Sequence, residues 1–334
     1  MELIAAVLAD PFLGKPTWIW LLFIGIVMAL LAFDLGVLNK KDHEIGIAES
    51  LWLSAFYIAI AAGFGGWVWW YFGPGSGMEY FTGFALEKAL AMDNVFVIGL
   101  IFSYFAVPRL YQHRVLFWGI LGVIVLRGLM IGLGAALVTE FSWVLYIFGA
   151  FLIVTGIKML AVGDSMPAVE DNPLLRFLRR HLRVTAELHG NRFWVTLPDP
   201  ATGRLARHAT PLLLALLLIE FADLVFAVDS VPAIFAITTD PFIVYTSNIF
   251  AILGLRALYF ALAAMVHRFK YLKIALSAVL IFIGGKIFWN QLVGKLDPAV
   301  SLSVTFALLA GGVIVSLLRT REPEPRDGTP KAAE

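Results

Sequence analysis

The sequence contains no cysteine and few charged residues, and each shortage excludes a class of protein. Without a thiol, the chain cannot form a disulfide framework, use thiol catalysis or build a cysteine-ligated zinc or iron-sulfur site. Charged residues make up only 15% of the 334 residues, and 25 basic side chains nearly balance 24 acidic ones. The net charge of +1 therefore gives no indication of a nucleic-acid partner.

What the chain has in excess is apolar surface. Hydrophobic residues form 60% of the sequence, against about 45 to 50% in an ordinary soluble domain. A soluble core of this length could not bury so much apolar surface, so the composition predicts a membrane protein. Long apolar runs predict an all-α polytopic membrane protein with about nine transmembrane helices. The predicted spans are 17–38, 51–72, 80–106, 115–138, 141–162, 210–238, 242–266, 271–293 and 299–318.

Lysine and arginine are distributed unequally among the predicted loops. Alternate loops hold most of these residues, and the opposite loops hold almost none apart from Lys15 and Lys295. Because basic loops normally face the cytoplasm, the asymmetry predicts an outside N-terminus and a cytoplasmic C-terminus. The transmembrane domain would cover 1–320, with a cytoplasmic loop at 163–209 and a disordered cytoplasmic tail at 321–334.

The predicted cytoplasmic loop contains the basic stretch PLLRFLRRHLRVT. Its leucines and phenylalanine recur near helical spacing, opposite four arginines. This pattern predicts an amphipathic surface helix at the anionic leaflet, and a regulatory or partner-binding role is the alternative.

Two segments of the sequence repeat charged residues in the same order. Residues 80–162 contain EKALAMDNVF and FGAFLIVTGIKML, and residues 210–293 contain IEFADLVFAVDSVPAIF and LIFIGGKIF. The corresponding residues are Glu87 and Asp223, Asp93 and Asp229, Arg127 and Arg256, and Lys158 and Lys286. Each copy contains three spans, an odd number, so the copies would cross the membrane in opposite directions. This predicts the inverted three-plus-three helix repeat that many secondary transporters use.

Charged residues within the predicted spans indicate where function lies. Each would cost about 2.5 to 3.5 kcal/mol if it faced lipid unpaired, so we expect them to converge on a hydrated cavity or to neutralise one another. A purely structural network of buried ion pairs is the alternative. The residues are the acids Asp34, Glu87, Asp93, Glu220, Asp223 and Asp229 and the bases Lys88, Arg127, Lys158, Arg256 and Lys286.

The ligand chemistry available within the spans favours a hard cation. All six histidines lie in predicted loops or at span edges, so no imidazole or thiolate site for a soft metal is expected in the bilayer. Manganese, magnesium and calcium all accept carboxylate and amide oxygens, and ligand type does not distinguish among them. Asn94 and Ser230 are candidates for neutral oxygen ligands. Asp229 would lie opposite Glu220 on an ideal helix, so Pro232 is expected to bend or unwind the helix and turn Asp229 toward the other acids.

Together these motifs resemble the TerC family, particularly its bacterial Alx-like members. The resemblance extends over nearly the whole chain and includes LLAFDLGVL, YIFGAFL, TTDPFIV and SNIFAILGLRA. It implies a bacterial inner-membrane exporter of manganese or a related divalent cation, a family historically associated with tellurite resistance. The family's acidic motif positions carry over to Glu87, Asp93, Glu220, Asp223 and Asp229.

Export of a divalent cation from a negative interior costs about 4.6 kcal/mol per 100 mV, and the sequence contains no nucleotide-binding P-loop. Proton antiport is therefore the simplest energy source. We expect protons, the transported ion and the bilayer as partners, no resident cofactor and no enzymatic activity, while the oligomeric state is left open. The predicted metal site is Glu87, Asp93, Asn94, Glu220, Asp223 and Asp229, with a charge network of Asp34, Lys88, Arg127, Lys158, Arg256 and Lys286.

Three functions other than export compete as explanations of the sequence. A transporter of tellurium oxyanions would need convergent positive charge, which the acid-rich motifs do not provide. An intramembrane metal-dependent hydrolase is disfavoured because neither HExxH nor a serine-lysine pattern is present. A membrane assembly factor or tellurite-resistance complex subunit without transport activity stays open as the alternative.

Overall fold

The computed structural model describes residues 10–34, 46–161, 169–198, 205–265 and 271–319, and these residues are mainly helical. The helices are α1 (Thr17–Phe33), α2 (Ile47–Phe72), α3 (Pro74–Tyr104), α4 (Arg109–Glu140), α5 (Val144–Ala161), α6 (Pro173–His181), α7 (Pro211–Phe235), α8 (Pro241–Met265), α9 (Leu272–Leu292) and α10 (Pro298–Arg319). Strands β1 (Pro11–Phe12) and β2 (Lys15–Pro16) pair antiparallel, as do β3 (Trp194–Pro198) and β4 (Leu205–Ala209).

Proline begins several of the helices. Pro74, Pro173 and Pro211 lie in the first turn of α3, α6 and α7, where a missing N–H costs no hydrogen bond. Between α2 and α3, Gly73 adopts a φ of 95°, a backbone conformation that side chains with a Cβ rarely adopt. The sequence thus separates two long apolar helices with a single glycine.

Each predicted span overlaps one helix, which confirms a mostly helical, polytopic membrane protein. In the part of the chain that the structure describes, six helices are long and apolar enough to cross a membrane: α2, α4, α5, α7, α9 and α10. Helix α1 and the Pro241–Leu255 part of α8 are apolar but shorter. Membrane crossing by α1, α3 and α8 therefore stays a prediction, and so does the total of nine.

The helices of the two predicted repeats pack against each other in a reciprocal pattern. Helix α3 contacts α8, α7 contacts α4, α5 contacts α9, and α3 also contacts α7. The α5–α9 contact depends on glycine. A Cβ atom at Gly156 would lie 2.9 Å from the carbonyl oxygen of Ser277, and one at Gly284 would lie 2.6 Å from that of Gly149. Small residues let the two backbones approach closely, as is common between membrane helices.

Aromatic side chains fill the contact between α1, α2 and α8. Phe23, Phe64, Phe242 and Phe250 are buried together, and the ring centroids of Phe64 and Phe250 are 4.9 Å apart. In contrast, the apolar side chains on the outer faces of α4, α5 and α10 are exposed. Exposed apolar surface on long apolar helices is suited to lipid contact.

Lys15 is an exception to the loop charge pattern, and the structure accounts for its presence. Its Nζ lies 2.8 Å from Asp240 Oδ2 and 4.1 Å from the centroid of the Phe72 ring. Asp240 also accepts a hydrogen bond from the backbone N–H of Phe242 at the start of α8. The positive charge of Lys15 is therefore matched locally by an acid.

The segment between α5 and α7 forms a small unit, which we call the inserted unit (residues 169–198 and 205–209). Helix α6 confirms the helical prediction for this segment, whereas the β3–β4 hairpin was not predicted. Leu175 and Leu178 are buried, and Leu175 belongs to a hydrophobic cluster that includes Leu212 of α7. The leucines of α6 thus pack toward the bundle, while Phe177 on the same helix is 55% exposed, and contact of this helix with the anionic leaflet stays a prediction.

Pro232 does not unwind α7. The helix is continuous from Pro211 to Phe235, so unwinding around AVDSVP does not occur, while the alternative, a bend at this place, stays a prediction. Proline removes one hydrogen bond to Val228, and because only three residues of α7 follow Pro232, little helix remains to be disrupted.

Candidate ion-binding site

A buried arginine joins both halves of the bundle. Arg127 lies near the middle of α4, and its side chain is only 1% exposed. Its Nε and Nη2 each donate to one Asp223 carboxylate oxygen at 3.1 Å, and its Nη1 donates to Glu87 Oε1 at 2.6 Å. Two-pronged contact of this kind is the strongest arginine–carboxylate geometry. Acids from the first and second predicted repeats therefore bind the same guanidinium.

Neutral side chains complete the surroundings of Arg127. Its Nη1 also donates to Ser230 Oγ at 2.8 Å and to Asn248 Oδ1 at 3.2 Å. Asp223 and Ser230 are seven residues apart, which is two helical turns, so both lie on the face of α7 toward α4. We call Arg127, Glu87, Asp223, Ser230 and Asn248 the arginine cluster.

The arginine cluster contains more negative than positive charge. One guanidinium faces two carboxylates, so the three charged groups sum to −1 when all are ionised. Glu87 Oε2 is buried and has no hydrogen-bond partner among the described residues. Asn94 Nδ2 donates to Asp223 Oδ1 at 3.5 Å, while the buried Asn94 Oδ1 also lacks a partner within the described ranges. Buried polar atoms are usually paired, so unpaired oxygens mark places that suit a water or a cation.

Glu220 lies one turn before Asp223 on α7, beside the arginine cluster. Its carboxylate rests against Gly122 of α4, where a Cβ atom would collide with it. The buried Glu220 Oε2 has no hydrogen-bond partner in the described part of the chain. Gly122 therefore makes room for an acid whose charge is not neutralised by a neighbouring base there.

A cavity of about 50 Å³ adjoins these groups. Asn94, Asp223 and Gly119 line it together with apolar side chains such as Val123 and Ile219. It exceeds the volume of roughly 10 to 15 Å³ that one water needs, so a small hydrated species fits.

The predicted site residues are only partly brought together. Glu87, Asn94, Asp223 and Glu220 lie along the α3–α4–α7 contact. The side chains of Asp93 and Arg256 lie outside the described residues. Asp229 is half-buried, and the basic side chain whose charge reaches it is Lys158. Among the described side chains, no group of three or more acids or histidines is arranged to hold a metal ion.

The other members of the predicted charge network lie apart from Arg127. Lys88 Nζ donates to the carbonyl oxygen of Ala251 in α8 at 3.3 Å, and Lys286 Nζ donates to Ser301 Oγ in α10 at 3.2 Å. Lys158 is exposed on α5. Asp34 is buried at the end of α1, where His113 Nε2 lies 3.9 Å from its Oδ2.

Three contributing residues were not predicted. Asn248 is a neutral amide within an apolar helix, and its only sequence signal is its place in the SNIFAILGLRA motif. Gly122 contributes because it has no Cβ atom, and its role is recognisable only once the Glu220 carboxylate is seen beside it. Glu79 interacts electrostatically with Lys286, but it lies just before the predicted third span and so is not among the acids of the predicted spans.

Comparison with known proteins gives a consistent result. The profile of the Integral membrane protein TerC family matches residues 72–324. An uncharacterized membrane protein of Myxococcus xanthus is 47% identical over 317 residues, which cover 95% of this chain and 97% of that protein. A protein of Photorhabdus laumondii, provisionally named membrane-bound redox modulator Alx, is 44% identical over 317 residues, covering 91% of this chain and 95% of its own.

A third relative, an uncharacterized membrane protein of Rickettsia bellii, is 47% identical over 300 residues, covering 90% of this chain and 97% of its own. No solved structure matches the chain significantly. The family profile covers most of the sequence, and the relatives align over nearly their full lengths. The resemblance in the sequence motifs is thereby confirmed: the chain belongs to the TerC family of integral membrane proteins.

Proposed function

We propose that this protein exports manganese or a related divalent cation from the cytoplasm by exchange for protons. The observation that carries the proposal is the arginine cluster with its unpaired neighbours. In this cluster the Arg127 guanidinium is bound by carboxylates from both halves of the chain, and these carboxylates lie near the middle of their helices. Beside it, Glu87, Asn94 and Glu220 each present a buried oxygen without a partner among the described residues. Oxygens of these types are the ligands that manganese, magnesium and calcium accept.

In this proposal, competition between protons and the metal ion for the same carboxylates couples metal export to proton entry. A hard divalent ion needs ionised carboxylates, so metal and protons compete for the same oxygens. Arg127 keeps its charge under all physiological conditions and neutralises one of the two carboxylates that it contacts. The remaining charge, together with Glu220, Asp93 and Asp229, would be neutralised by protons in one state and by the metal in the other.

The proposed conformational change is rocking of two inverted repeats, and the helix contacts support it. A symmetric exchange of the repeats would carry the α3–α8 contact onto the α7–α4 contact, and both contacts are present. The spacing that matches Lys158 with Lys286 also matches Gly156 with Gly284 and Gly149 with Ser277. At these positions the backbones of α5 and α9 lie close together. An interface with the same small residues on both sides suits alternating access about a central site.

The proposed setting is the bacterial inner membrane, crossed nine times, with the N-terminus outside and the C-terminus in the cytoplasm. The loop distribution of lysine and arginine supports this orientation. Lys15 and Lys295 are the two exceptions on the outer side. The inserted unit would then lie on the cytoplasmic side.

The alternative is a membrane assembly or tellurite-resistance complex subunit without transport activity. Lys158 favours it, because this charged side chain is exposed beside the apolar Val154 and Ile157 on α5, where a partner helix could cover it. Relatives such as the Photorhabdus laumondii protein carry the name redox modulator. If this chain had such a role, its own thiols could not perform it, since it contains none.

Metal uptake by inside-out vesicles tests the proposal, since their lumen stands for the cell exterior. We expect a lumen-acid proton gradient to accelerate manganese uptake and the metal to drive protons out of the lumen. Asp93→Asn and Asp229→Asn should abolish both effects while inserting normally. Glu140→Gln changes an exposed acid at the end of α4 and is the matched control.

Each outcome of this assay separates the hypotheses. No metal uptake by the wild-type protein would favour the assembly subunit. Uptake that ignores the proton gradient would exclude antiport but retain a transporter. Undiminished uptake by both aspartate variants would exclude these carboxylates as ion ligands.

A further inference from the structure

A large pocket lies between the inserted unit and the adjoining ends of α3 and α7. Its volume is about 620 Å³, within the range of roughly 300 to 1,000 Å³ that small-molecule sites occupy. Tyr104 and Phe105 at the end of α3, Pro211 and Leu214 at the start of α7, and Arg179 and Thr185 of the inserted unit line it. This pocket is separate from the arginine cluster, because it shares none of that cluster's residues.

The pocket combines one positive charge with an apolar wall. The guanidinium of Arg179 lies 5.8 Å from the centroid of the Tyr104 ring, within the distance of a cation–π contact. Arg179 is exposed, so its donors are accessible to an anion. Phe105, Val184 and Leu214 contribute apolar surface to the lining, beside the polar Thr185. Such a surface suits a molecule that is anionic at one end and apolar at the other.

The position of the pocket narrows the choice of such molecules. It lies at the ends of two helices of the bundle, and α7 is apolar and long enough to span a membrane. Helix ends lie at the depth of lipid headgroups, and the cytoplasmic leaflet is rich in anionic lipid. The inserted unit is also rich in arginine, and Arg176, Arg179 and Arg180 on α6 are exposed around Phe177, which is 55% exposed.

We propose that this pocket binds an anionic phospholipid. The phosphate would lie at Arg179, and the first part of the acyl chains would lie along Phe105, Pro211 and Leu214. This proposal rests on the proposed cytoplasmic placement of the inserted unit, but it does not depend on the transported ion or on transport itself.

A lipid at this position would touch the elements that connect the inserted unit to the arginine cluster. The unit contacts α3 through Arg179 and Tyr104, and it contacts α4 through Phe193, whose ring centroid is 5.6 Å from the Arg114 guanidinium. It contacts α7 through Thr210, whose Oγ1 donates to the Arg192 carbonyl at 2.7 Å. Helices α3, α4 and α7 carry Glu87, Arg127 and Asp223. The bound lipid would therefore hold the unit against the three charged helices of the cluster.

Lipid binding to the purified full chain tests the proposal directly. Phosphatidylglycerol or phosphatidylcholine would be added at defined concentrations, and bound lipid would be counted by native mass spectrometry. We expect phosphatidylglycerol to bind the wild-type protein and Arg180→Gln equally. Arg179→Gln should weaken it about fivefold or more, the effect of one basic residue on an anionic headgroup. Arg180 is an exposed neighbour on the same helix that does not line the pocket.

A second variant separates pocket filling from loss of charge. Ala186 lines the pocket and is exposed, so Ala186→Trp should occupy the pocket and weaken lipid binding without removing Arg179. Thermal unfolding of each variant would verify that the fold is intact. Equal binding by Arg179→Gln and Arg180→Gln would overturn the proposal, as would equal binding of phosphatidylcholine. Binding of inorganic phosphate alone, with the same dependence on Arg179, would also overturn it and identify a soluble anion as the occupant.

Discussion

Two acids one helical turn apart on α7 have opposite surroundings. Asp223 is bound by both prongs of the Arg127 guanidinium and is buried. Glu220 rests against the glycine backbone of α4, and its buried Oε2 has no partner among the described residues. Within the described ranges, the fold thus gives the Asp223 carboxylate a basic partner and gives the Glu220 carboxylate none. Under the proposed function, Asp223 would have a largely structural role and Glu220 an ion-binding role.

The largest effect should follow removal of Arg127. Arg127→Met keeps most of the side-chain volume but leaves Glu87 and Asp223 buried without their base. Breaking a buried ion pair in this way costs about 3 to 5 kcal/mol of stability. Thermal unfolding in detergent, or the yield of inserted protein, measures the loss. An Arg127→Met protein as stable as the wild type would show that the cluster is not what holds the helices together.

Removal of the Glu220 charge should act on transport and not on stability. Glu220→Gln keeps the shape and removes a charge that no described base neutralises, so we expect an unchanged or slightly higher unfolding temperature. Manganese uptake should fall by about tenfold or more, comparable with losses at metal-supporting residues. Unfolding and vesicle uptake measured on one preparation would separate the two effects. A strongly destabilised but fully active variant would reverse the assignment of the two acids.

The space beside Glu220 can be changed without touching any acid. Gly122→Ala places a Cβ atom where the Glu220 carboxylate lies, so the carboxylate must move. Stability should change little, because alanine favours a helix over glycine by about 1 kcal/mol and offsets the displacement. Uptake should fall several-fold. Gly132→Ala on the same helix meets nothing within 4 Å and is the control, which should retain full uptake.

The smallest expected effect is the difference in stability between variants of the two repeated lysines, Lys286 and Lys158. Lys286 is buried and donates to Ser301, whereas Lys158 is exposed. Lys286→Met should therefore destabilise the protein by about 1 kcal/mol, the value of one hydrogen bond, and Lys158→Met should leave stability unchanged. Chemical or thermal unfolding measures both. If Lys158→Met left folding intact but altered the pH dependence of uptake, Lys158 would be a moving counter-charge instead of a passive one.

The candidate site was partly predictable because burial of charge in an apolar chain is expensive. That cost indicated that the charged residues of the spans would converge on a cavity or neutralise one another, and Glu87, Asp223 and Arg127 do lie together. It did not indicate that Lys88 and Lys286 would instead find a backbone carbonyl and a serine hydroxyl. A single buried charged side chain can be stabilised by an opposite charge, a backbone carbonyl or a hydroxyl, and its neighbours in space decide which of these it contacts.

The sequence by itself determined the class of this protein and the position of its helices, because runs of apolar residues in a bilayer have few alternatives to the α-helix. Prolines and glycines fixed several helix ends in the same local way. Only the tertiary structure decided which acid Arg127 neutralises, that Gly122 makes room for Glu220, and that α6 packs against the bundle. The physical reason is distance along the chain. Residues 87, 127 and 223 meet only after several helices have packed, and no local pattern records how those helices align.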